Sequence, residues 1–322
     1  MRKIRKKMRK IVILDADTLG HDIKLDAISK YGELTAYPIT KPSETADRIR
    51  DAEIIITNKV FIGKDEIAEA KNLRLVCVAA TGYNNIDLKA LSERNIAATN
   101  VKGYSTQTVA QLVFASILNI YGSISLYNSD MREGQWQQSP TFTMLTHPIS
   151  DLENKTLGII GYGNIGRQVA KIAQAFDMKT LICALPGREY PKSENRVDFD
   201  TLLSQSDIIS LHCPLTPDTQ NLISEAQLKK MKPSAVLINT SRGPVVNYDH
   251  LYQALANHTI KAAAFDVYPQ EPPKEHPIFS LSNAYITPHI AWASVEARTR
   301  LVDGIANNIK VYTEGKIDTI RL

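Results

Sequence analysis

Short apolar runs recur along the chain and are separated by segments with helical periodicity. Such runs are typical of strands buried in a parallel sheet, and their spacing is that of strand–helix–strand units. The predicted strands cover residues 10–14, 34–37, 52–57, 73–79, 96–100, 156–160, 179–184, 207–213, 235–239, 260–267 and 284–286. Their order predicts an α/β protein with two doubly wound parallel sheets in succession.

The longest helical pattern runs from residue 108 to about residue 128 and is apolar on nearly all sides in its first half. A helix of this kind is buried between layers or in a dimer. The irregular stretch after it, 129–150, is longer than an ordinary loop and indicates a subunit contact or an arm. Shorter helices are predicted over 22–31 and 197–203, and a closing helix over 293–315.

A glycine-rich turn, Gly161-Tyr-Gly-Asn-Ile-Gly166, joins an apolar run to a helical pattern. Gly161 permits a tight turn, Gly163 lets the backbone approach a pyrophosphate, and Gly166 allows close helix–strand packing. Asn164 and Ile165 open the helix, whose N-terminal N–H groups and partial positive charge favour phosphate. This pattern of strand, turn, helix and strand predicts dinucleotide binding rather than a plain turn.

The composition is that of a globular chain, with 43% of the 322 residues hydrophobic and 22% charged. No stretch approaches the ~20 apolar residues that a membrane span needs. The three cysteines, Cys77, Cys183 and Cys213, fall in or at the end of apolar runs, which favours reduced core residues in a cytoplasmic protein. No spacing of His, Cys and Asp suggests a metal site.

Positive charge is concentrated in the first ten residues, which hold seven Lys or Arg and no acid. Without them, 31 basic and 34 acidic residues remain, so the formal charge of +4 becomes −3. We interpret residues 1–10 as a solvated leader rather than an arm for nucleic acid or a membrane. The segment lacks the apolar region of a secretory signal.

Three further stretches carry a resemblance that covers nearly the whole chain after residue 10. They read Ile238-Asn-Thr-Ser-Arg-Gly-Pro-Val-Val-Asn247, Phe265-Asp-Val-Tyr-Pro-Gln-Glu-Pro-Pro273 and Ile286-Thr-Pro-His-Ile-Ala-Trp-Ala-Ser294. Together with the glycine turn, and in the same order, they resemble the D-isomer-specific 2-hydroxyacid dehydrogenases. The segments 56–59, 78–87 and 289–294 are most similar to the glycerate dehydrogenase and hydroxypyruvate reductase branch.

The resemblance implies a particular domain organisation. A Rossmann dinucleotide-binding domain, residues 107–292, would be inserted into a discontinuous flavodoxin-like substrate domain formed by residues 1–106 and 293–322. It also implies a homodimer built on the nucleotide domains through the long helix and the arm at 129–150.

The resemblance assigns catalysis to Arg242, Glu271 and His289, and the chemistry of a 2-oxo acid supports each role. A planar guanidinium can donate two hydrogen bonds to the substrate carboxylate and carbonyl oxygen. Imidazole titrates near neutral pH, so His289 can protonate that oxygen as hydride adds to carbon. Glu271 would hold the imidazole in one tautomer. Taken singly, each residue also fits a structural role, but together they follow predicted strands and match their motifs.

Further contacts carry over with the resemblance. The cofactor would be lined by Thr108, Gly161, Gly163, Asn164, Ile165, Gly166, Cys213, Pro214, Thr240 and Ser241. Asp266 would accept a hydrogen bond from the nicotinamide carboxamide, and His212 is assigned either to the cofactor or to a structural role. The backbone N–H groups of Thr81 and Gly82 would bind the substrate carboxylate, with Asn58, Lys59 and Trp292 lining the same cleft.

One position departs from the pattern of NAD-preferring relatives, which place Asp or Glu after the second strand to bind the ribose 2′-OH. This chain has Leu185 there and Arg188 three residues later. Without the carboxylate a 2′-phosphate is not repelled, and the arginine attracts it. We therefore expect preference for NADPH or use of both NAD and NADP, with Glu189 as a residue that could restore preference for NAD.

These observations predict an NAD(P)-dependent oxidoreductase that transfers a hydride between nicotinamide and a small 2-oxo or D-2-hydroxy acid. The expected reaction converts hydroxypyruvate or glyoxylate to D-glycerate or glycolate. A D-lactate-type dehydrogenase is an alternative, as is a non-enzymatic dinucleotide-sensing protein similar to the family's corepressors. We expect a cytoplasmic homodimer with a small-molecule substrate and no nucleic-acid or membrane partner.

Overall fold

The computed structural model describes residues 8–185, 189–190, 196–319 and 321–322. Arg188, predicted to contact the cofactor, and most of the basic leader, residues 1–7, lie outside the described residues. The chain is divided into two compact units. One comprises the chain up to Ser105 together with the part from Ala293 on, and the other spans Thr106–Trp292.

The first unit is built on a parallel sheet of five strands in the order β2-β1-β3-β4-β5. The strands are β1 (Lys10–Ile13), β2 (Glu33–Ala36), β3 (Ile54–Thr57), β4 (Leu75–Val78) and β5 (Ala97–Thr99). Its helices are α1 (Asp26–Ser29), α2 (Pro42–Ile49), α3 (Lys64–Ile67), α4 (Leu88–Glu93) and the last helix of the chain, Val295–Thr313. β3 and β4 are buried along their whole length, as continuous apolar strands in parallel sheets are.

The last helix joins this first unit because one of its faces is apolar. Leu301, Ile305 and Ile309 recur every four residues and are fully buried, so they lie on one side of the helix. That helix packs against α1 and β4. The C-terminal part of the chain therefore completes a core that residues 8–105 begin.

The second unit contains a parallel sheet of seven strands in the order β12-β11-β10-β9-β6-β7-β8. The strands are β6 (Thr156–Ile160), β7 (Lys179–Ala184), β8 (Arg196–Asp198), β9 (Ile208–Leu211), β10 (Val236–Asn239), β11 (Ala262–Phe265) and β12 (Ala284–Ile286). The helices are α5 (Thr106–Gly122), α6 (Ile124–Arg132), α7 (Asn164–Ala175), α8 (Phe199–Gln205), α9 (Glu225–Lys230) and α10 (Tyr248–Ala256). With the last helix as α11, the predicted pair of parallel α/β sheets is confirmed.

The strand order of the second unit reverses at β6, which pairs with β7 on one side and β9 on the other. Side chains alternate across this sheet. Ile159 and Ile238 belong to the cluster that includes residues of α5 and α7, whereas Ile160 and Leu237 belong to the cluster on the opposite face. Parallel sheets bind ligands outside the carboxyl ends of their strands at such a reversal. We therefore expect a ligand site at the carboxyl end of β6.

The predicted continuous helix over 108–128 was wrong. α5 ends at Gly122, Ser123 has φ of +51°, and α6 follows at an angle of 61°. Glycine weakens a helix, and a left-handed residue interrupts its hydrogen bonding. Among the described residues no single helix is long and apolar enough to cross a membrane, and α5 and α6 pass that test only when taken together across the bend.

Two shorter predictions also need correction. Only Asp26–Ser29 is α-helical within the predicted helix 22–31. Residues 196–198 form β8, and α8 begins at Phe199 because the Asp198 side chain accepts the Thr201 N–H as an N-cap. β8 has three residues and no apolar run, so periodicity did not reveal it.

Candidate functional site

The predicted catalytic residues follow neighbouring strands of the second unit. Arg242 comes after β10, Glu271 after β11, and His289 after β12. These strands pair in parallel, β10 with β11 and β11 with β12. Their carboxyl ends therefore lie side by side, and the loops that carry the three side chains leave the same edge of the sheet.

His289 and Glu271 form a close pair. Nδ1 of His289 lies 2.6 Å from Oε2 of Glu271, and Oε1 of Glu271 accepts the Tyr268 backbone N–H at 2.9 Å. An ionised carboxylate only accepts hydrogen bonds, so the pairing assigns a proton to Nδ1. Nε2 of His289 is then the ring atom that can give or take a proton.

The backbone of His289 is held in an uncommon conformation. Its φ is +56°, a left-handed value that costs a residue with a Cβ about 1–2 kcal/mol. Buried Asp266 offsets this cost, because Oδ1 accepts the Thr287 hydroxyl at 2.6 Å and the Ile290 N–H at 2.8 Å, and Oδ2 accepts the Ala291 N–H at 2.7 Å. Burial raises the pKa of Asp266, and these donors oppose the rise. Asp266 therefore fixes the turn that carries His289.

A carboxylate has about four acceptor positions, and Thr287, Ile290 and Ala291 use three of those of Asp266. The predicted bond from a nicotinamide carboxamide to Asp266 can use the remaining position. That contact stays a prediction, whereas the support for the His289 turn is a direct property of the fold.

The turn that carries Arg242 is organised by Asn239, the last residue of β10. Its Oδ1 accepts both the N–H and the hydroxyl of Ser241, at 3.1 and 2.9 Å, and its Nδ2 donates to the Arg242 carbonyl at 3.0 Å. One buried amide thus satisfies three polar groups around the turn. The Arg242 side chain donates to the Ser241 carbonyl at 2.8 Å.

Gly243 lets the Arg242 turn pack against the loop that precedes Glu271. A Cβ at Gly243 would lie 2.1 Å from the Tyr268 carbonyl carbon and 2.4 Å from the Pro269 nitrogen. Both neighbours are backbone atoms, so they cannot move aside cheaply. Arg242 and the Glu271 loop are therefore coupled through a contact that admits only glycine.

Asn239, Gly243, Tyr268 and Thr287 organise this edge and were not predicted as site residues. Asn239 could have been noticed, because a polar residue ends the fully apolar run of β10. Gly243 and Tyr268 act through backbone atoms, and Thr287 acts through Asp266, which is distant in sequence. Residue spacing reveals neither kind of contact.

The glycine turn fits the phosphates of a dinucleotide. Gly161 has φ of +101°, and a Cβ there would lie 2.5 Å from the Cys213 nitrogen. A Cβ at Gly166 would lie 2.2 Å from the Gly161 carbonyl oxygen, whereas a Cβ at Gly163 would meet nothing within 4 Å. The N-terminus of α7 has no side-chain cap, so the N–H groups of its first turn face this open space.

Two polar atoms near this turn are buried without a hydrogen-bond partner among the described residues, Nδ1 of His212 and Oγ1 of Thr240. Register pairs Ser210 with Ile238, so continued alternation puts His212 and Thr240 side by side on one face. Nε2 of His212 lies 2.9 Å from the Ser210 hydroxyl. Two orphaned polar atoms at the strand ends suit contacts with a polar ligand such as a dinucleotide.

Aromatic and basic residues surround the carboxyl end of β7. The Arg167 guanidinium lies 4.4 Å from the centre of the Tyr162 ring, and that of Arg196 lies 3.9 Å from the Tyr190 ring. Arg196 also donates to the Cys183 carbonyl at 2.6 Å. Leu185 is 8% exposed and belongs to the hydrophobic cluster of this face, so its side chain faces the core rather than the surface.

The other predicted cofactor residues lie at the ends of these elements. Thr108 is half-buried in the first turn of α5, Cys213 and Ser241 are buried, and Pro214 is exposed. Trp292 is half-buried.

In the first unit, the four predicted substrate residues follow neighbouring strands. Asn58 and Lys59 come directly after β3, and Thr81 and Gly82 come after β4. Asn58 is buried and Lys59 is exposed. The Thr81 hydroxyl donates to the Val101 carbonyl at 3.0 Å, and its carbonyl accepts from the Asn100 amide at 2.6 Å. Within the described ranges, the backbone N–H groups of Thr81 and Gly82 donate no hydrogen bond.

Comparison with known proteins shows similarity to one family of dehydrogenases. A family model for the D-isomer specific 2-hydroxyacid dehydrogenase, NAD binding domain, matches residues 114–291. The chain is 40% identical to a glycerate dehydrogenase of Methylorubrum extorquens over 96% of this chain and 97% of that protein. It is 38% identical to a hydroxypyruvate reductase of Blautia hydrogenotrophica over 95% of this chain and 97% of that one. The solved structure of an acyclic imino acid reductase in complex with NADPH and D-Arg has a TM-score of 0.85 at 32% identity, covering 97% of this chain and all of that chain.

The burial of His212 predicts a specific pH dependence of stability. Burial lowers the pKa of His212 to about 4, whereas in the unfolded chain histidine titrates near pH ~6.5. Between these values the unfolded state binds a proton that the folded state does not, so stability is lost as the pH falls. We expect the free energy of unfolding, measured with urea, to fall between pH 7 and pH 5 in both proteins. The fall should be about 1–2 kcal/mol larger for the wild type than for His212→Gln.

Exposed His21 provides the control, because His21→Gln replaces an imidazole at the surface and leaves His212 in place. It should follow the wild-type pH profile. An identical pH profile for His212→Gln and the wild type would show that His212 takes up its proton in the folded state as readily as in the unfolded one.

Proposed function

Because the chain belongs to the D-isomer specific 2-hydroxyacid dehydrogenase family, we propose that it reduces hydroxypyruvate or glyoxylate to D-glycerate or glycolate. The supporting observation is the pairing of His289 with Glu271 at the edge of the sheet where Arg242 also emerges. This arrangement combines a proton donor, a carboxylate that orients it and a cation for an anionic substrate. Such a set suits proton transfer to a carbonyl oxygen.

Each residue has a defined task in this reaction. Arg242 binds the substrate carboxylate and the carbonyl oxygen, and so stabilises the negative charge that develops on that oxygen. A nicotinamide cofactor held at the glycine turn would supply the hydride for the carbonyl carbon. His289 transfers the proton on Nε2 to the oxygen, while Glu271 keeps the proton on Nδ1 and balances the charge of the imidazolium. The reverse steps oxidise a D-2-hydroxy acid, with Nε2 accepting the proton.

The first test measures initial rates with hydroxypyruvate, glyoxylate and pyruvate, each with NADH and with NADPH. We expect turnover in the wild type with hydroxypyruvate or glyoxylate as the better substrate. His289→Asn should lower kcat by about 10²-fold or more, because it removes the proton donor. Glu271→Gln should lower kcat by about 10- to 100-fold, since the imidazole stays but is no longer oriented by a charge.

The matched control is His276→Asn. His276 also pairs with a carboxylate, its Nε2 lying 3.1 Å from Oδ1 of Asp249, but we assign it no catalytic task. Its kcat should stay within about twofold of the wild type, since its substitution removes no group from the reaction. Tight dinucleotide binding without turnover of any of the three acids would argue for the nucleotide-sensing alternative, and faster turnover of pyruvate would argue for a D-lactate-type enzyme.

We further propose that the enzyme prefers NADPH. No carboxylate stands at position 185, and the guanidinium groups of Arg167 and Arg196 flank Tyr162 next to the glycine turn. Positive charge at this end of β7 favours a ribose 2′-phosphate over a 2′-OH. The proposal thus depends on Arg196 as well as on the absence of an acid at Leu185.

Two substitutions test this preference. Arg196→Gln should raise KM for NADPH about tenfold and leave KM for NADH within about twofold, because only the phosphate loses a charged partner. Leu185→Asp should shift the NADPH-to-NADH ratio of kcat/KM toward NADH, although it places a carboxylate in a buried position. Lys179→Gln, which removes a charge at the opposite end of β7, is the control. Equal effects of Arg196→Gln on both cofactors would contradict the proposal.

We also propose a homodimer formed through α5, α6 and the segment to residue 150. That stretch carries a set of exposed apolar side chains: Leu118, Ile124, Met131, Trp136, Phe142, Leu145 and Ile149. Phe142 is 91% exposed and Leu145 is 78% exposed, and such apolar clusters mark interaction surfaces. Three buried cysteines that form no disulfide among the described residues support the cytoplasmic location that we assign to this dimer.

The segment is held in place by its own hydrogen bonds. Oδ2 of Asp130 lies 2.8 Å from Nε2 of His147 and accepts the Thr146 hydroxyl at 3.2 Å, and the Tyr127 hydroxyl donates to the His147 carbonyl at 2.7 Å. The apolar side chains are therefore displayed from an ordered backbone. An ordered surface loses less conformational freedom on association than a loose one.

Light scattering coupled to size exclusion will test the dimer. We expect the wild type to elute with twice the mass of one chain. The double variant Phe142→Asp/Leu145→Asp should elute with the mass of a single chain, because burying two unpaired carboxylates opposes association. Ile39→Asp adds a charge at an exposed apolar residue of the first unit and should leave the mass unchanged. A monomeric wild type would refute the proposal.

A further inference from the structure

Lys261 is a half-buried lysine at the edge of the seven-stranded sheet that is opposite the candidate site. It directly precedes β11, which begins at Ala262, so it lies at the amino ends of the strands. Its N–H donates to the Ala235 carbonyl at 3.0 Å, and its carbonyl accepts from Nδ2 of Asn283 at 3.2 Å. The backbone of Lys261 is therefore fixed on both sides, and the proposed reaction assigns no task to its side chain.

The amine of Lys261 lies over an aromatic ring. Nζ is 4.9 Å from the centre of the Tyr121 ring, and Tyr121 on α5 is only 5% exposed. Burial, together with the charge of Asp207, raises the pKa of Tyr121 to about 12, so this phenol is uncharged at neutral pH. A neutral ring attracts an ammonium less strongly than a carboxylate does.

The acid on this edge, Asp207, is engaged by other groups. Its Oδ1 lies 2.9 Å from Nζ of Lys232, and its Oδ2 accepts the Thr156 N–H at 2.8 Å. Within the described ranges, the Lys261 amine forms no ion pair and no hydrogen bond. Lys232 and Lys261 are thus two half-buried lysines at one edge, of which only Lys232 is paired with a carboxylate.

A second lysine adds positive charge near Lys261. Burial lowers the pKa of Lys261, and the charge of Lys155 lowers it further. Lys155 directly precedes β6 and is half-buried, and within the described part of the chain its amine donates no hydrogen bond. A lysine that is desolvated or lies beside another cation has a larger uncharged, nucleophilic fraction. The charge of Lys155 also attracts anions to this edge.

We propose that Lys261 is a modification site, at which its amine is acylated by a small anionic acyl donor of the acyl phosphate class. The free amine attacks the acyl carbon, a C–N bond forms, and the bond from that carbon to the phosphate oxygen breaks. Phosphate leaves as the anion, and the nitrogen loses its proton to water. The Lys155 ammonium attracts the anionic donor. The amide product removes a half-buried charge that has no carboxylate partner among the described residues.

Acylation rates of individual lysines test this proposal. The wild-type protein is incubated with acetyl phosphate at a pH of about 8, where most solvated lysines are still charged, and mass spectrometry of its peptides gives the rate at each lysine. Lys261 should be acylated about tenfold or more faster than Lys232, because the Lys232 amine is engaged in an ion pair. Exposed Lys89 gives the rate of a solvated amine and should also react more slowly than Lys261.

A substitution of the neighbouring lysine tests the cause of this reactivity. Lys155→Gln should lower the rate at Lys261 about fivefold, since it removes the charge that favours the free amine and attracts the donor. It should also raise the pH at which the rate at Lys261 is half of its maximum, and leave the rate at Lys89 unchanged. Lys179→Gln is the matched control, because exposed Lys179 begins β7 at the same edge and does not lower the pKa of Lys261.

The charge of the donor provides a second comparison. Phenyl acetate carries the same acyl group as acetyl phosphate but has no negative charge. The preference for Lys261 over Lys89 should therefore be smaller with phenyl acetate, and in Lys155→Gln the two donors should show the same preference.

The proposal is overturned if the wild type acylates Lys261 no faster than Lys232, if Lys155→Gln leaves the rate at Lys261 unchanged, or if both donors show the same preference in the wild type. These readouts do not depend on 2-oxo acid turnover. Lys261 lies at the amino ends of the strands, whereas the loops of Arg242, Glu271 and His289 follow the carboxyl ends.

Discussion

In each unit, loops that carry predicted site residues depend on a buried carboxylate that accepts backbone N–H groups from the loop of a neighbouring strand. Asp266 holds the turn that carries His289, and Asp15 holds the turn that carries Lys59. A carboxylate buried without donors would be far too costly, so each loop must adopt the conformation that brings its N–H groups to the acid. The same requirement that supplies each buried acid with donors therefore fixes the loop beside it.

This constraint also explains how a strained residue can persist at the site. A left-handed φ at His289 is unfavourable on its own, yet the flanking Thr287, Ile290 and Ala291 all bond to Asp266. The strain is local, whereas the compensating bonds are distributed on both sides of the residue. The orientation of the imidazole is then set twice, by the backbone turn and by the 2.6 Å contact with Glu271.

Much of the fold could be predicted from the sequence because continuous apolar runs are a strong signal for parallel strands. The glycine turn could also be predicted, since Gly161 and Gly166 occupy positions where a Cβ would clash with backbone atoms. β8 could not, because three residues without an apolar run carry no periodic signal. The break at Gly122–Ser123 was missed because the apolar pattern of the sequence continues through it, although the helical hydrogen bonding of the backbone is interrupted there.

For the candidate site, motif resemblance predicted reactive side chains such as His289 but not the residues that hold their loops. Asn239 bonds to Ser241 and Arg242 directly after it. Asp15 instead accepts backbone N–H groups of residues 58–60, and Thr287 donates to the Asp266 side chain, so both have partners distant in sequence. Such partners depend on which strands become neighbours, and strand order is a property of the assembled sheet. Gly243 belongs to the same class, since only the packed Tyr268–Pro269 backbone shows why a Cβ has no room there.

The two histidines at this sheet edge show how environment separates residues of the same type. His212 is paired with an uncharged hydroxyl and has a pKa lowered by burial to about 4, so at neutral pH it is a fixed, uncharged group. His289 is partly exposed, and its ring contacts the Glu271 carboxylate. A group that must carry a proton to a substrate needs the second environment. The accessible ring of His289 supports the proton transfer proposed for it, and the uncharged ring of His212 suits a neutral polar contact.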